Sequence, residues 1–394
     1  MEIKIERDTT LDRLESYYRR LTQAADVDAP VNVILPKALD NYFVGLVPAL
    51  LQFVITWSRY RLAGDLILDI DDSDVDNLNE VLQNELLFPA IALVWNKSNL
   101  YSKNGQTDLR DALKEPLGSI RNLMVRARPF KGHKLLLTSI DHFPLKSGGI
   151  PAFESSEGFI DNEANTLSNL RPALESILSF SNEAKREFAE YGRDFIAIIH
   201  ELYKNTYEWA RTDSANIAIS PSIRGCLIKF YKKRRTTILH EYQFHKGLRE
   251  YFESTVHIEN LQSEIYFIEI SIFDSGLGFV GKYDSIDKTK LTDIDIIKRC
   301  LVLHMTSAKG LDKDEKGVGL DRILKVLDKK GFIRIKTNRR CVYRNMITHP
   351  YRTVSHEQDL DLYDWEFNSS KKYSETSEVV GVCLTILYPL STKP

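Results

Sequence analysis

The sequence predicts an α+β protein in which a smaller α/β domain precedes a larger domain of helices and strands. Three observations support this class. A strand, a helix and a strand follow one another between residues 32 and 70, which is the order of a β-α-β crossover. Helical spacing of apolar residues follows at Phe195–Trp209. Apolar, β-branched runs typical of buried strands then recur at Ile265–Asp274, Phe332–Thr337 and Gly381–Pro389.

Length, charge and cysteine content narrow the class of protein. At 394 residues and 43% hydrophobic content the chain can form two or three domains. A net charge of -2 provides no global field towards nucleic acid or acidic lipid. The N-terminal MEIKIERDTT lacks the apolar core of a signal peptide. We expect a cytoplasmic protein without a membrane partner. The four cysteines do not follow a zinc-binding spacing, so we expect them to be small buried residues; they are Cys226, Cys300, Cys341 and Cys383.

Residues 1–150 are predicted to form the first domain. Its strands are predicted at Asn32–Leu35, Asp65–Ile70 and Lys134–Ile140. The apolar run Tyr42–Trp57 has 16 residues, whereas a membrane span needs about 20, so we expect a buried helix. The order of these elements loosely resembles that of STAS regulatory domains. A plain docking or dimerisation module is the alternative.

Residues 151–170 are predicted to be a linker, because the stretch around them is rich in glycine, serine and proline. The second domain, 171–394, is expected to contain inserts near 221–262 and 343–378. The first insert carries a basic stretch of Lys229, Lys232, Lys233, Arg234 and Arg235. Aromatic residues interleave with these charges, so a nucleic-acid face is one interpretation and a solvated hairpin is the other.

The predicted helix Phe195–Trp209 carries a polar row beside its apolar stripe. Glu201, Asn205 and Glu208 lie at i, i+4 and i+7, about 100° from the stripe, which places them at the rim of a cleft. A carboxylate can take a proton from water, and an amide carbonyl is a hard oxygen ligand suited to Mg²⁺. The row therefore offers a general base and a metal ligand on one helix.

Two glycine-rich turns complete the candidate site. The predicted strand ending at Asp274 leads into a turn with Gly276 and Gly278, where the backbone can approach a ligand closely. Gly317 and Gly319 precede a helical pattern starting at Leu320 and Asp321. A glycine-rich turn at the start of a helix presents unpaired N–H groups, which favour phosphate.

Together, ELYKN at Glu201–Asn205, DSGLG at Asp274–Gly278 and KGVGL at Lys316–Leu320 resemble three motifs of one superfamily. It comprises gyrase, heat-shock chaperones, histidine kinases and MutL (GHKL). The resemblance covers about Phe195–Pro389, half of the chain. It implies a two-layer α/β sandwich, the Bergerat fold, with a pocket for ATP and Mg²⁺.

The resemblance also implies roles for individual residues. Glu201 would be the catalytic base, Asn205 the Mg²⁺ ligand, and Asp274 the acceptor from the adenine amino group. The segment Phe279–Lys316 would be a lid over the phosphates. The remaining nucleotide-binding positions would be Glu208, Gly276, Gly278, Thr306, Ser307, Lys309, Gly317, Gly319 and Leu320.

The closing strand departs from the superfamily pattern, because Val382 stands where a threonine normally supports the aspartate. The contact with adenine would then either be weaker or be completed by Thr385. His200 precedes Glu201 and is interpreted as a packing residue.

Three activities stay open from the sequence. The first is an ATPase switch, whose lid closure drives dimerisation or partner binding through residues 1–150 or the lid. The second is a phosphotransferase acting on a histidine or serine. The third is an ATP-sensing module without turnover. A glutamate at position 201 favours hydrolysis.

Overall fold

The computed structural model describes residues 1–40, 43–104, 108–179, 182–283, 290–302, 319–354 and 356–390. Over these ranges the strands are β1 (Glu2–Lys4), β2 (Val31–Pro36), β3 (Ala63–Asp69), β4 (Leu100–Tyr101), β5 (Lys134–Ile140), β6 (Glu154–Ser155), β7 (Gly158–Phe159), β8 (Ile223–Arg234), β9 (Glu264–Asp274), β10 (Phe332–Asn338), β11 (Arg340–Asn345), β12 (Tyr363–Asp364) and β13 (Val379–Pro389). The helices are α1 (Leu11–Asp26), α2 (Leu46–Arg59), α3 (Asp72–Val75), α4 (Leu78–Val81), α5 (Leu87–Val94), α6 (Arg110–Val125), α7 (Leu145–Gly148), α8 (Glu163–Ile177), α9 (Asn182–Trp209), α10 (Arg235–Glu241), α11 (Lys246–Glu253), α12 (Gly278–Lys282), α13 (Asp293–Leu301) and α14 (Gly319–Val326).

The first sheet is parallel and comes from the N-terminal part of the chain. Its strand order is β1-β2-β3-β4, and α2 connects the parallel pair β2 and β3. The predicted β-α-β crossover is therefore confirmed. In β2, Val31, Val33 and Leu35 are fully buried while Asn32 and Ile34 are only partly buried. This alternation is that of a strand with one well-covered face.

Helix α2 is mostly apolar and is buried on nearly all sides. Only Thr56 and Arg59 among its residues are not buried. It packs against α1 and α5, and also against β9 and β13 of the second sheet. The buried helix expected at Tyr42–Trp57 is confirmed from Leu46 onward. No helix in the described ranges is both long enough and apolar enough to cross a membrane.

The second main sheet is antiparallel throughout. In the described part of the chain it has seven strands in the order β12-β11-β10-β13-β9-β8-β5. Ile272 and Leu384 face a cleft beneath α9. Ser271 and Thr385 hydrogen-bond to each other on the opposite face, next to Gly45 at the start of α2. The sheet thus lies between α2 and a layer of α8, α9 and α14, and the predicted mixture of α and β structure is confirmed.

Strand pairing corrects the predicted domain organisation. β5, expected in the first domain, pairs with β8 over its whole length at the edge of the second sheet. The predicted linker 151–170 contains the β6–β7 hairpin and the start of α8. A side chain at Gly148 would overlap the carbonyl oxygen of Ile140. At that position the glycine allows a close approach of the chain, so it does not mark a flexible connection.

Both predicted inserts begin with strands of the second sheet. The insert near 221–262 starts with β8, which is paired on both sides, and only α10 and α11 follow it outside the sheet. The insert at 343–378 starts within β11 and includes β12. Four cations of the basic stretch lie within 3.3 Å of carboxylates, in the pairs Lys229–Glu85, Lys232–Glu264, Lys233–Glu241 and Arg235–Glu259. Their positive charge is therefore balanced locally.

Candidate functional site

Helix α9 carries the polar row at the rim of a cleft, as its sequence predicts. The side chains of its apolar stripe are buried, at Phe195, Ile198, Ile199, Leu202 and Thr206. The row of Glu201, Asn205 and Glu208 lines the cleft between α9 and the second sheet. Trp209, expected in the buried stripe, is only partly buried and lines the cleft as well.

The cleft brings together eight of the predicted site residues. They are Glu201, Asn205, Glu208, Asp274, Gly276, Gly278, Gly319 and Leu320. The space between the walls, counted out to the open mouth, is about 1180 Å³. Of the expected lid, the structure describes only 279–283 and 290–302. The other four predicted residues, Thr306, Ser307, Lys309 and Gly317, lie outside the described residues.

Asp274 stands at the end of β9 with its carboxylate buried. Its Oδ1 accepts hydrogen bonds from the backbone N–H of Gly276 at 2.8 Å and of Val382 at 3.3 Å. Both bonds end on Oδ1, and Oδ2 accepts none from the described residues. Burial raises the pKa of Asp274 to about 6, although the two N–H groups act in the opposite direction.

The turn after Asp274 needs its glycines for two different reasons. A Cβ at Gly276 would lie 2.7 Å from the Cα of Ala210, so the turn touches the backbone that follows α9. Gly278 has φ +74°, and a Cβ there would overlap the hydroxyl of Thr337. That hydroxyl accepts a hydrogen bond from the N–H of Phe279 at 3.1 Å. The glycines therefore let the turn lie flat against the wall of the cleft.

Val382 supports Asp274 through its backbone in place of a side-chain hydroxyl. Its N–H reaches Oδ1 of Asp274, and its side chain lines the cleft. The expectation that Thr385 supplies the missing hydroxyl is wrong. Residues 382 and 384 face the cleft, so residue 385 faces α2, where Thr385 accepts a hydrogen bond from Ser271.

The opposite end of the cleft is formed by α9 and the first turn of α14. A Cβ at Gly319 would overlap Oε2 of Glu201 and would lie 3.7 Å from Nδ2 of Asn205. The backbone at the start of α14 thus approaches both side chains closely. Nδ2 of Asn205 is buried and has no hydrogen-bond partner within the described ranges. A buried amide group without a partner is expected to bond to a ligand or to water.

Arg322 is a charged group at this end that the motifs do not include. It pairs with Glu163 at the start of α8, and its Nη1 lies 3.5 Å from Oε1 of Glu201. These carboxylates raise the pKa of Arg322 above its ordinary value. Arg322 could have been predicted from helical spacing, because residue 322 lies one turn after Gly319 and its side chain projects back towards that residue.

His200 has the packing role that its position suggests. Its side chain is buried, and its Nδ1 lies 2.9 Å from the hydroxyl of Thr166. Its Nε2 lies 3.4 Å from Asp161. Cys226, Cys341 and Cys383 are buried and Cys300 is partly buried, and all four are free thiols.

Comparisons with protein-family models, with characterised proteins and with solved structures find no match to this chain. The residues of the cleft therefore carry the functional argument. Within the described residues, no group of three or more His, Cys, Asp and Glu side chains could hold a metal ion.

Proposed function

We propose that the chain binds Mg-ATP in this cleft and hydrolyses it, and that the second sheet with α8, α9 and α14 is a Bergerat fold. The proposal rests on where the motif residues lie in the fold. Described residues of three motifs that are far apart in the sequence line one cleft: Glu201 and Asn205 of the first, Asp274, Gly276 and Gly278 of the second, and Gly319 and Leu320 of the third. Asp274, Gly276 and Val382 form what we term the base end. Glu201, Asn205 and Gly319 form the phosphate end, and Arg322 is paired with Glu201 beside it.

The base end suits an adenine ring. Asp274 offers Oδ2 as an acceptor for an amino group, and its Oδ1 is held by two backbone N–H groups. Apolar side chains of Ile272 and Leu384 line the adjoining wall. A flat apolar slot with a single polar anchor is the usual form of a heterocycle site.

The phosphate end suits a triphosphate with Mg²⁺. Magnesium is usually held by one or two protein oxygens together with phosphate oxygens, so a cage made only of protein groups is not required. In Asn205 the buried, unpartnered Nδ2 is a donor that would bond to a phosphate oxygen. The carbonyl Oδ1 of the same amide is the atom that would bind Mg²⁺. When bound, the ion would neutralise phosphate charge, and Arg322 adds positive charge one helical turn beyond Gly319.

Glu201 is placed to act as the general base. It would accept a proton from a water molecule while the water oxygen attacks the γ-phosphorus. The bond from that phosphorus to the β–γ bridging oxygen breaks, which releases ADP and orthophosphate. The ion pair with Arg322 holds the Glu201 carboxylate in place but also competes with water for it.

This ion pair favours a second candidate, an ATP sensor without turnover. If Arg322 stays paired with Glu201 when ATP binds, no base is free, and the cleft binds the nucleotide without hydrolysing it. A phosphotransferase of the same fold is the remaining alternative, and detection of labelled phosphate on a protein would identify it.

Calorimetry and phosphate release test the proposal on the full chain. We expect the wild type to bind Mg-ATP and to release phosphate. Asn205→Ala should bind Mg-ATP at least about tenfold more weakly, because the phosphate end loses its metal ligand. Asn169→Ala, on the exposed face of α8, is the matched control and should match the wild type. If wild type and Asn205→Ala bind Mg-ATP equally, the assigned phosphate end is wrong.

A further inference from the structure

Strand β13 contains a bulge beside the base end. Thr337 of β10 pairs with Val382, but the next residue, Asn338, pairs with Val379. Val380 and Gly381 therefore have no ladder partner in β10, although the carbonyl oxygen of Gly381 accepts a bond from the side-chain hydroxyl of Thr337 at 3.3 Å. Bulges of this kind redirect a strand, and they often occur next to functional sites.

Side chains of α2 provide the missing hydrogen bonds. The Gln52 amide donates to the carbonyl oxygen of Lys336 in β10 at 3.1 Å. Its Nε2 also lies 3.5 Å from the carbonyl oxygens of both Val380 and Gly381, which are long, weak contacts. The N–H of Val380 donates to the Thr56 hydroxyl at 3.0 Å. Gln52 is buried, with 1% of its surface exposed, so water does not replace these bonds.

The bulge in turn positions Asp274. Gly381 has φ +74°, and a Cβ there would overlap the carbonyl oxygen of Asp274, so the two backbones are in direct contact. The next residue, Val382, donates the 3.3 Å hydrogen bond to Oδ1 of Asp274. This bond is long, so a small displacement of the bulge would break it.

Helix α2 also joins the bulge to the first sheet. The indole N–H of Trp57 donates to the carbonyl oxygen of Val31 in β2 at 2.7 Å. At the end of the helix, Arg59 donates to the carbonyl oxygen of Ser275, next to Asp274, at 3.4 Å. One rigid helix therefore contacts the first sheet and two segments that flank the base end.

We propose that Gln52 of α2 is a positioning residue for the Asp274 acceptor. The inference rests on the proposed function, since it assigns the N-terminal part of the chain a role in nucleotide affinity. Gln52 does not contact the nucleotide. It acts through the bulge, which holds Val382 against Asp274.

The test compares Gln52→Met and Thr56→Val with Ser58→Ala in the full chain. The first two keep the side-chain size and remove the bonds to the bulge. Ser58 is buried on α2 like Gln52, and within the described ranges its hydroxyl bonds only to Ile55 of the same helix, so Ser58→Ala controls for changes in helix packing. Binding of adenosine, Mg-ATP and Mg-tripolyphosphate is measured by calorimetry between pH 5.5 and 8.

We expect Gln52→Met and Thr56→Val to bind adenosine and Mg-ATP about three- to tenfold more weakly, the effect of one lost hydrogen bond. Tripolyphosphate, which lacks a base, should keep its affinity. The pH below which adenosine affinity falls should rise, because Val382 no longer favours the ionised form of Asp274. Arg224 and Asp141, the charged groups that act on Asp274, are unchanged in these variants.

The possible results distinguish a failure of the proposed function from a failure of the role proposed for Gln52. A wild type that binds neither adenosine nor Mg-ATP removes the proposed function and this inference with it. A wild type that binds both, with unchanged adenosine affinity and pH midpoint in Gln52→Met and Thr56→Val, overturns the inference alone. Equal losses for tripolyphosphate would show a general loosening and would also overturn it. If one variant does not fold, the other gives the same readout.

Discussion

The base end and the phosphate end of the cleft are held by different kinds of group. At the base end, Asp274 lies on a strand, and its carboxylate is bonded to the backbone N–H groups of Gly276 and Val382. At the phosphate end, the charged groups are side chains on helices. Glu201 and Arg322 are paired at 3.5 Å, and their side chains are 20% and 41% exposed.

This difference has a consequence for mechanism. The base end is held by two backbone N–H groups, one in the turn at Gly276 and one in β13 at Val382, so it is preorganised for one ligand geometry while the bulge keeps its position. An ion pair between partly exposed side chains is worth about 1 kcal/mol or less, so a bound phosphate can exchange partners with it. We therefore expect the base end to determine which nucleotide binds and the phosphate end to determine what happens to it.

The largest expected effect comes from the phosphate end. Glu201→Gln keeps the size of the side chain and removes the base, so phosphate release should fall about 10²- to 10⁴-fold. Mg-ATP affinity should stay within about threefold of wild type, because the base does not hold the ground state. Phosphate release and calorimetry on the same preparations measure both quantities. Turnover at the wild-type rate would show that Glu201 is not the base.

The next effect comes from the base end and links affinity to stability. Asp274→Asn should weaken adenosine and Mg-ATP binding about 5- to 150-fold, because the amide that replaces the carboxylate presents a donor as well as an acceptor. The same change should stabilise the empty protein at pH 7. The expected gain in the free energy of unfolding is about 1 to 3 kcal/mol, since each pKa unit corresponds to about 1.4 kcal/mol.

The sign of this stability change follows from the pKa. In the folded chain the pKa of Asp274 is raised to about 6, above its ordinary value of 3.8. The folded state therefore binds the proton more tightly, and the free energy of unfolding falls as the pH rises from about 4 to about 6. Asp274→Asn removes this loss, so its advantage in urea unfolding should be present at pH 7.5 and absent at pH 4. Asp28→Asn removes an exposed carboxylate and controls for charge.

The polar row on α9 could be predicted from sequence because helical spacing fixes which side chains share a face. Asp274 and its turn could be predicted because an apolar strand leads directly into glycines. The N–H of Val382 could not, since its contact with Asp274 depends on a two-residue bulge that only strand pairing reveals. Likewise, the place of β5 in the second sheet depends on pairing with β8, far along the chain. Local pattern carries no information on such pairings.

The smallest expected effect tests whether partner exchange at the phosphate end matters. Arg322 bonds to Glu163 and also lies near Glu201, but Glu163 does not line the cleft. Among the described residues, Glu163→Gln leaves the guanidinium with Glu201 as its one charged partner, which holds that carboxylate away from water. Phosphate release should fall about two- to fivefold, Mg-ATP affinity should be nearly unchanged, and the free energy of unfolding should change by about 1 kcal/mol or less.

The control for Glu163→Gln is the dependence of its phosphate release on salt concentration. Added salt screens a partly exposed ion pair, so raising the ionic strength should recover part of the lost turnover in this variant and should leave Glu201→Gln inactive. A loss in Glu163→Gln as large as that in Glu201→Gln would mean that the whole arginine network supports turnover, and the assignment of a single base would then fail. Unchanged turnover would show that the ion pair between Arg322 and Glu201 does not limit hydrolysis.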